Sequence, residues 1–212
     1  MNKKERPASI SYLPKNKEEI KELKVILLGD TGVGKTNIIN RFLFGTFDEI
    51  LKPTLASSYL EKNLKRDNCT YNLKLWDTTG QERYNSITKL FIKNSQIVLL
   101  VYSINNLKSF ENIKFWNDFI KDELDRDEYV LAIVGNKKDL FEHEVVDEEK
   151  GKKLANDLDA DFSLISAKYD TQGIDNLFNL LLDKYISQIG ENRIHQDSIR
   201  IEERPYKKKN CC

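Results

Sequence analysis

The chain has 212 residues, 40% hydrophobic and 32% charged, the composition of a folded domain and not of a disordered segment. Lys and Arg number 34, as do Asp and Glu, which argues against nucleic-acid binding through bulk positive charge. Apolar runs are too short to cross a bilayer, the start MNKKERP is not a signal peptide, and Asn2 excludes N-myristoylation.

In chain order, residues 1–20 contain Pro7 and Pro14 and no sustained period, and read as a mobile N-terminal extension. Val25–Leu28 reads as a strand, with a glycine-rich turn after it and a helix from about Lys35. Residues 58–77 read as two strands joined near Arg66, Asp67 and Asn68. Strand parity puts Tyr71, Leu73 and Leu75 on one face, and Trp76 on the polar face with Asn72 and Lys74. Tyr59 falls on the corresponding polar face of the first strand. Two readings stand for Trp76: a contact surface, or a ring covered by a helix. Ile97–Val101 and Val130–Val134 are further strands, apolar enough to be covered on both faces as in a parallel sheet. Phe162–Ile165 is another apolar run, and Ile174, Leu177, Phe178, Leu181, Leu182, Tyr185, Ile186 and Ile189 form a helical stripe. Alternating strands and helices predict an α/β sheet covered on both sides. Residues 191–212 read as a polar tail ending in Lys207, Lys208, Lys209, Asn210, Cys211 and Cys212. With Cys69 as the only other cysteine, neither a disulfide framework nor zinc spacing is present, which suits a reducing, cytosolic-side compartment.

Residues 29–36, Gly-Asp-Thr-Gly-Val-Gly-Lys-Thr, match the phosphate-loop pattern in full, between a strand and a helix. Its backbone N–H groups and helix dipole suit phosphate oxygens, Lys35 reaches the β- and γ-phosphates, and the Thr36 hydroxyl suits Mg²⁺. Asn136-Lys137-Lys138-Asp139 follows a strand. The Asp139 carboxylate is complementary to the N1–H and amino donors of guanine, which adenine does not pair with in that way. Asn136 suits N7, and the Lys137 stem suits the base face. A backbone N–H within Ser166-Ala167-Lys168 suits O6. In the stretch Trp76–Tyr84, Asp77 suits Mg²⁺ through water, Gly80 allows a close backbone approach to the γ-phosphate, and Gln81 suits orientation of a water.

With these motifs in order, residues 21–190 resemble a small GTPase of the Ras superfamily, and in detail a Rab. WDTTGQERY is close to the Rab form WDTAGQERY, LVYSI resembles LVYDI, and the Cys-Cys ending resembles the Rab signal for two geranylgeranyl groups. The stretch TLASSYLEKNL after Pro53 resembles the endosomal Rabs. The resemblance implies a mostly parallel six-stranded sheet with one antiparallel edge strand and helices on both faces, the small G domain of the P-loop NTPases. It carries nucleotide contacts onto Gly29, Asp30, Thr31, Gly32, Val33, Gly34, Lys35, Thr36, Asn37, Phe47, Thr54, Gly80, Asn136, Lys137, Asp139, Ser166, Ala167 and Lys168. Phe47 would stack on the base; Thr36, Thr54 and, through water, Asp77 would serve Mg²⁺; Lys35 and Gln81 would be catalytic. Tyr59, Trp76 and Phe91 would form an effector surface, and Cys211 and Cys212 would be lipidated. The implied partners are a guanine nucleotide, a GTPase-activating protein, an exchange factor, a GDP-dissociation inhibitor, an escort protein, effectors and a membrane, with no nucleic acid. The implied place is the cytoplasmic face of an intracellular membrane, an endosomal one favoured, with a soluble cytosolic pool.

Four positions depart from the family pattern. Ala56 replaces a common Gly, Thr31 a usual Ser and Thr79 a nearly constant Ala, and Phe91 lies in a stretch that departs from the tyrosine-rich form. Thr79 opens a rival reading, a GTP-binding adaptor that hydrolyses little; a P-loop kinase of a small metabolite is a second rival, opposed by Gln81 and Asn136–Asp139. His143 and His195 read as surface residues, Cys69 as an inert strand-end thiol, and Lys207–Lys209 as either a solvated run or a membrane-surface patch.

Overall fold

The computed structural model describes residues 19–51, 54, 58–78 and 87–202. Its centre is a six-stranded sheet: β1 (Glu19–Leu28), β2 (Ser58–Arg66), β3 (Cys69–Asp77), β4 (Ile97–Ser103), β5 (Val130–Asn136) and β6 (Asp161–Leu164). Spatial order is β2-β3-β1-β4-β5-β6. Every neighbouring pair is parallel except β2–β3. The expected architecture, one antiparallel edge strand on a parallel sheet, is the one observed.

Burial explains the pattern along the strands. Every residue of β4 and β5 is buried, as continuous apolar runs covered by helices on both faces require. β1 is longer than its apolar run Val25–Leu28, because its exposed first half pairs with β3, from Glu19 opposite Cys69. Backbone pairing, and not side-chain burial, extends that strand.

The helices are α1 (Lys35–Phe44), α2 (Ile87–Ile92), α3 (Leu107–Glu111), α4 (Ile113–Lys121), α5 (Glu148–Asp157) and α6 (Thr171–Glu202). One core joins α1 and α6 to the sheet through Ile38, Ile39, Phe42, Ile174, Phe178 and Leu181. Phe42 and Phe178 stack with ring centroids 3.9 Å apart. The other face is covered by α4 and α5 through Ile113, Trp116, Ile120, Leu154 and Ala155. The apolar stripe from Ile174 lies within α6, which runs on to Glu202. No helix among the described residues is long and apolar enough to cross a membrane.

The chain leaves β1 toward β3 on one side and then crosses to β4 on the other. Ligands of open α/β sheets bind outside the carboxyl ends of the strands at such a switch point. Here the loops after Leu28, Asp77 and Asn136 emerge.

Candidate nucleotide site

A cleft of about 330 Å³ opens at these strand ends. Thr31, Gly32, Gly34, Lys35, Thr36 and Asn37 line one end; Asn136, Lys137, Asp139, Ala167 and Lys168 line the other, with Phe47 beside them.

The phosphate-loop sequence makes a tight turn into α1. Gly34 caps α1 at φ 100, and no described side chain caps the helix, so its first backbone N–H groups face the cleft. A Cβ on Gly34 would lie 2.3 Å from Asn136 Nδ2, and one on Gly29 would lie 2.1 Å from the Val101 carbonyl oxygen. Both glycines are thus required by close approach as well as by backbone conformation. Lys35 is buried, and its ammonium donates to the carbonyls of Gly29 at 2.8 Å and Asp30 at 3.1 Å. These bonds hold the cation inside the curl of the loop.

Three oxygens that lie far apart in sequence meet beside Lys35. Thr36 Oγ1 donates to Asp77 Oδ2 at 2.8 Å and lies 3.0 Å from Thr54 Oγ1, which donates to the same carboxylate oxygen at 3.4 Å. Two hydroxyls and a carboxylate are a hard, all-oxygen donor set and fit Mg²⁺, not zinc or copper. Thr78, which the sequence reading did not single out, buries its hydroxyl and donates to the Leu27 carbonyl at 2.7 Å. That bond fixes the chain as it leaves β3.

At the far end, Asn136 is buried and uses both amide atoms. Nδ2 donates to the Val33 carbonyl at 2.8 Å, and Oδ1 accepts from Ala167 N–H at 3.1 Å. Asn136 therefore ties the phosphate loop to the Ser166–Lys168 loop, a structural task beyond the base contact expected from sequence. Lys137 adopts a left-handed backbone at φ 66, and burial pulls its ammonium pKa down, partly offset by the Asp139 charge. Asp139 Oδ1 accepts from the Ser166 hydroxyl at 2.5 Å, which orients the carboxylate. Lys168 pairs with Glu49 at 3.0 Å and sits 6.0 Å from the Phe47 ring centre; the Glu49 hydrogen bond raises its pKa.

Arg41 was missed. From the last turn of α1 it donates Nε to the Ala167 carbonyl at 2.8 Å, Nη2 to that of Lys168 at 2.6 Å and Nη1 to that of Gly45 at 2.5 Å. The Ser166–Lys168 loop is thus held by Asn136 from one side and by Arg41 from the other. Asn37 plays a similar part nearer the rim: its amide exchanges hydrogen bonds with the backbone of Asp48, at 2.9 and 3.1 Å, and so anchors the segment that carries Phe47.

The structure also brings Tyr59, Trp76 and Phe91 together. Trp76 lies 5.4 Å from each of the other two rings, centre to centre. Tyr59 is half exposed, and Trp76 is partly buried beside Phe91 of α2 and under Lys24, whose ammonium is 4.9 Å from its ring centre. Phe91 of α2 thus packs against one side of the Trp76 ring, while Tyr59 on its other side stays half exposed. Ala56, Thr79, Gly80, Gln81, His195, Lys207–Lys209, Cys211 and Cys212 lie outside the residues or side chains described.

Residues 24–187 match the sequence profile of the Ras family. The Ras-related protein RabC of Dictyostelium discoideum is 35% identical to the chain over 191 residues, which cover 89% of this chain and 96% of RabC. On this match over most of its length, and with the six-stranded sheet that carries the cleft, the chain belongs to the Ras family of small GTPases.

Proposed function

We propose that the chain is a Rab-type switch: it binds GTP and GDP with Mg²⁺, hydrolyses GTP slowly, and recruits effectors to a membrane in vesicle traffic, with an endocytic membrane favoured. The carrying observation is the meeting of Thr36, Thr54 and Asp77 oxygens within 3.4 Å at the phosphate end of the cleft. Thr54 turned inward onto Thr36 is the arrangement a γ-phosphate-bound switch needs. Mg²⁺ bound there would neutralise charge on the β- and γ-phosphate oxygens. Lys35 would hold the same oxygens from within the loop, with backbone N–H groups of residues 32–36 around them, and Gly80 and Gln81, by their place in the sequence motif, would serve the γ-phosphate and the attacking water. A trans-acting arginine from an activating protein would supply a further ~10³–10⁵-fold in rate. At the base end Asp139 pairs with the guanine donors, and the ring lies between Phe47 and the Lys137 stem.

In this reading residues 21–190 are the switch domain, to which Glu19 and Ile20 add the start of β1 and not part of an extension, and residues 191–212 are a tail prenylated at Cys211 and Cys212. Tyr59, Trp76 and Phe91 present the nucleotide state to effectors. An exchange factor, a GDP-dissociation inhibitor and an escort protein complete the cycle between membrane and cytosol. The test is analysis of nucleotide released from the purified protein, followed by Mg²⁺-dependent phosphate release from loaded GTP. Guanine nucleotide at about one per chain is expected, and adenine nucleotide or none overturns the reading.

Thr79 leaves a second reading, an adaptor with little hydrolysis, in which a β-branched hydroxyl next to Gly80 in sequence would crowd the approach to the γ-phosphate. Thr79→Ala separates the two in a single-turnover assay. Faster turnover supports crowding, and a slower rate assigns Thr79 a part in placing the water.

A further inference from the structure

The phosphate loop contains a carboxylate. Asp30 stands second in a segment built to bind polyanionic phosphates, where a negative charge at short range opposes the ligand. Its side chain is nevertheless absent from the residues that line the cleft. Asp30 Oδ2 accepts from Asn112 Nδ2 at 2.5 Å, and Oδ1 accepts from Trp116 Nε1 at 3.1 Å. Asn112 stands immediately before α4, without capping it by its side chain, and Trp116 lies one turn into it. Trp116 is fully buried and Asn112 is nine-tenths buried, so these donors do not swing freely. The backbone of the same residue faces the other way: the Asp30 carbonyl accepts from the Lys35 ammonium at 3.1 Å.

We infer that Asn112 and Trp116 are positioning residues for nucleotide phosphate binding, acting through Asp30. Their two N–H groups draw the Asp30 charge toward α4 and away from the phosphates. In doing so they set the carbonyl that orients Lys35. Charge-assisted hydrogen bonds at both carboxylate oxygens fix its direction more firmly than one would. The start of α4 thereby becomes a determinant of how long a nucleoside diphosphate or triphosphate stays bound, although neither residue lines the cleft. The inference rests on the reading of residues 29–36 as the phosphate loop.

The test is a double-mutant cycle in the full chain, read by release of a directly excited fluorescent GDP into excess unlabelled GDP. Trp116→Phe keeps most of the ring and deletes the N–H; Asn112→Asp faces one carboxylate with another. Release should quicken about threefold to tenfold for Trp116→Phe and more for Asn112→Asp, a fraction of the full worth of a hydrogen bond to a charged group, because only part of that loss falls on nucleotide retention. In an Asp30→Ala background the effect of Trp116→Phe should fall below about twofold, because its acceptor is gone. High salt should shrink the acceleration in the Asp30 protein, where unscreened charge reaches the phosphates. Should Trp116→Phe not fold, Asn112→Ser completes the same cycle from outside the ring-packed core. Equal acceleration with and without Asp30 overturns the inference, since packing then explains it, and so does unchanged release in both backgrounds. A wild-type chain that retains no guanine nucleotide overturns the phosphate-loop reading, and the inference with it.

Discussion

Replacing Arg41 with Met removes three donors while keeping an apolar stem of similar length. Two of the bonds, to the carbonyls of Ala167 and Lys168 at 2.8 and 2.6 Å, are partly buried and hold the loop at the base end. The third, to Gly45, is exposed and is left out of the reckoning. A hydrogen bond to a charged group contributes about 1.5–3 kcal/mol, so the pair at the lower figure contributes about 3 kcal/mol. Water reaching the freed carbonyls recovers part of that, and part of the loss falls on folding. A net loss of about 1.4 kcal/mol on nucleotide retention corresponds to a tenfold change. GDP release from Arg41→Met should therefore quicken about tenfold to a hundredfold, with GDP and GTP affected alike if, as proposed, the loop meets the base and not the phosphates. Stopped-flow release of a fluorescent nucleotide measures it. Single-turnover hydrolysis of GTP that remains bound should stay within about twofold, a change of under half a kcal/mol in the barrier. Unchanged release from a folded variant would refute the claim that Arg41 holds the loop for binding. A matched fall in hydrolysis would refute its restriction to the base end.

Gly34→Ala should cost about 1–2 kcal/mol for a left-handed backbone at φ 100, and it drives a Cβ into Asn136 Nδ2, 2.3 Å away, so both nucleotide content after purification and melting temperature should drop. Asp139→Asn should weaken guanine binding by about 1–3 kcal/mol or more. The Ser166 hydroxyl keeps Oδ1 as its acceptor and turns the new amide donor toward the base, so a xanthine nucleotide should gain in a competition assay; equal guanine affinity would remove Asp139 from the pocket. Single Cys→Ser changes at Cys211 or Cys212 should leave partial, exchangeable membrane attachment and the double change none, measured by flotation with liposomes after prenylation; stable attachment of the double variant would show another anchor.

The parts of the site that were legible in the sequence are those built from contiguous residues. A phosphate loop works by curling its own backbone, and a base-reading loop works from the end of a strand. Gly29–Thr36 and Asn136–Asp139 therefore declare themselves as short strings. The hairpin of β2 and β3 was legible for the same reason: period-two alternation puts Trp76 and Tyr59 on the polar faces of their strands, and the observed register then pairs them. The supports were not legible, because each joins residues that are distant in the chain. Arg41 reaches Ala167 across 126 positions, Asn136 reaches Val33 across 103, and Trp116 reaches Asp30 across 86. Nothing local distinguishes Arg41 from any cation in the last turn of a helix, or Trp116 from any apolar residue on an inward helix face. The outer half of β1 was hidden because its pattern EIKELK is set by pairing with β3 and leaves several side chains exposed.

The sheet that carries the site ends at β2 and β6, and the two margins differ. A bare strand margin is a template for another chain, and an apolar one invites stacking into aggregates. β6 is only four residues long and offers little to copy. β2 is nine residues long, yet it carries Glu61, Lys62, Lys65 and Arg66. Lys62 points inward, its ammonium 3.8 Å from the Phe42 ring centre and 3.7 Å from Asp175. Arg66 reaches Asp183 and Asn179 of α6 at 2.5 Å each. A second molecule annealing along β2 would have to strip water from these charges or disturb those contacts, which opposes pairing at this edge. Copies crowded on a common surface should therefore stay separate molecules, held apart by the same strand that carries Tyr59.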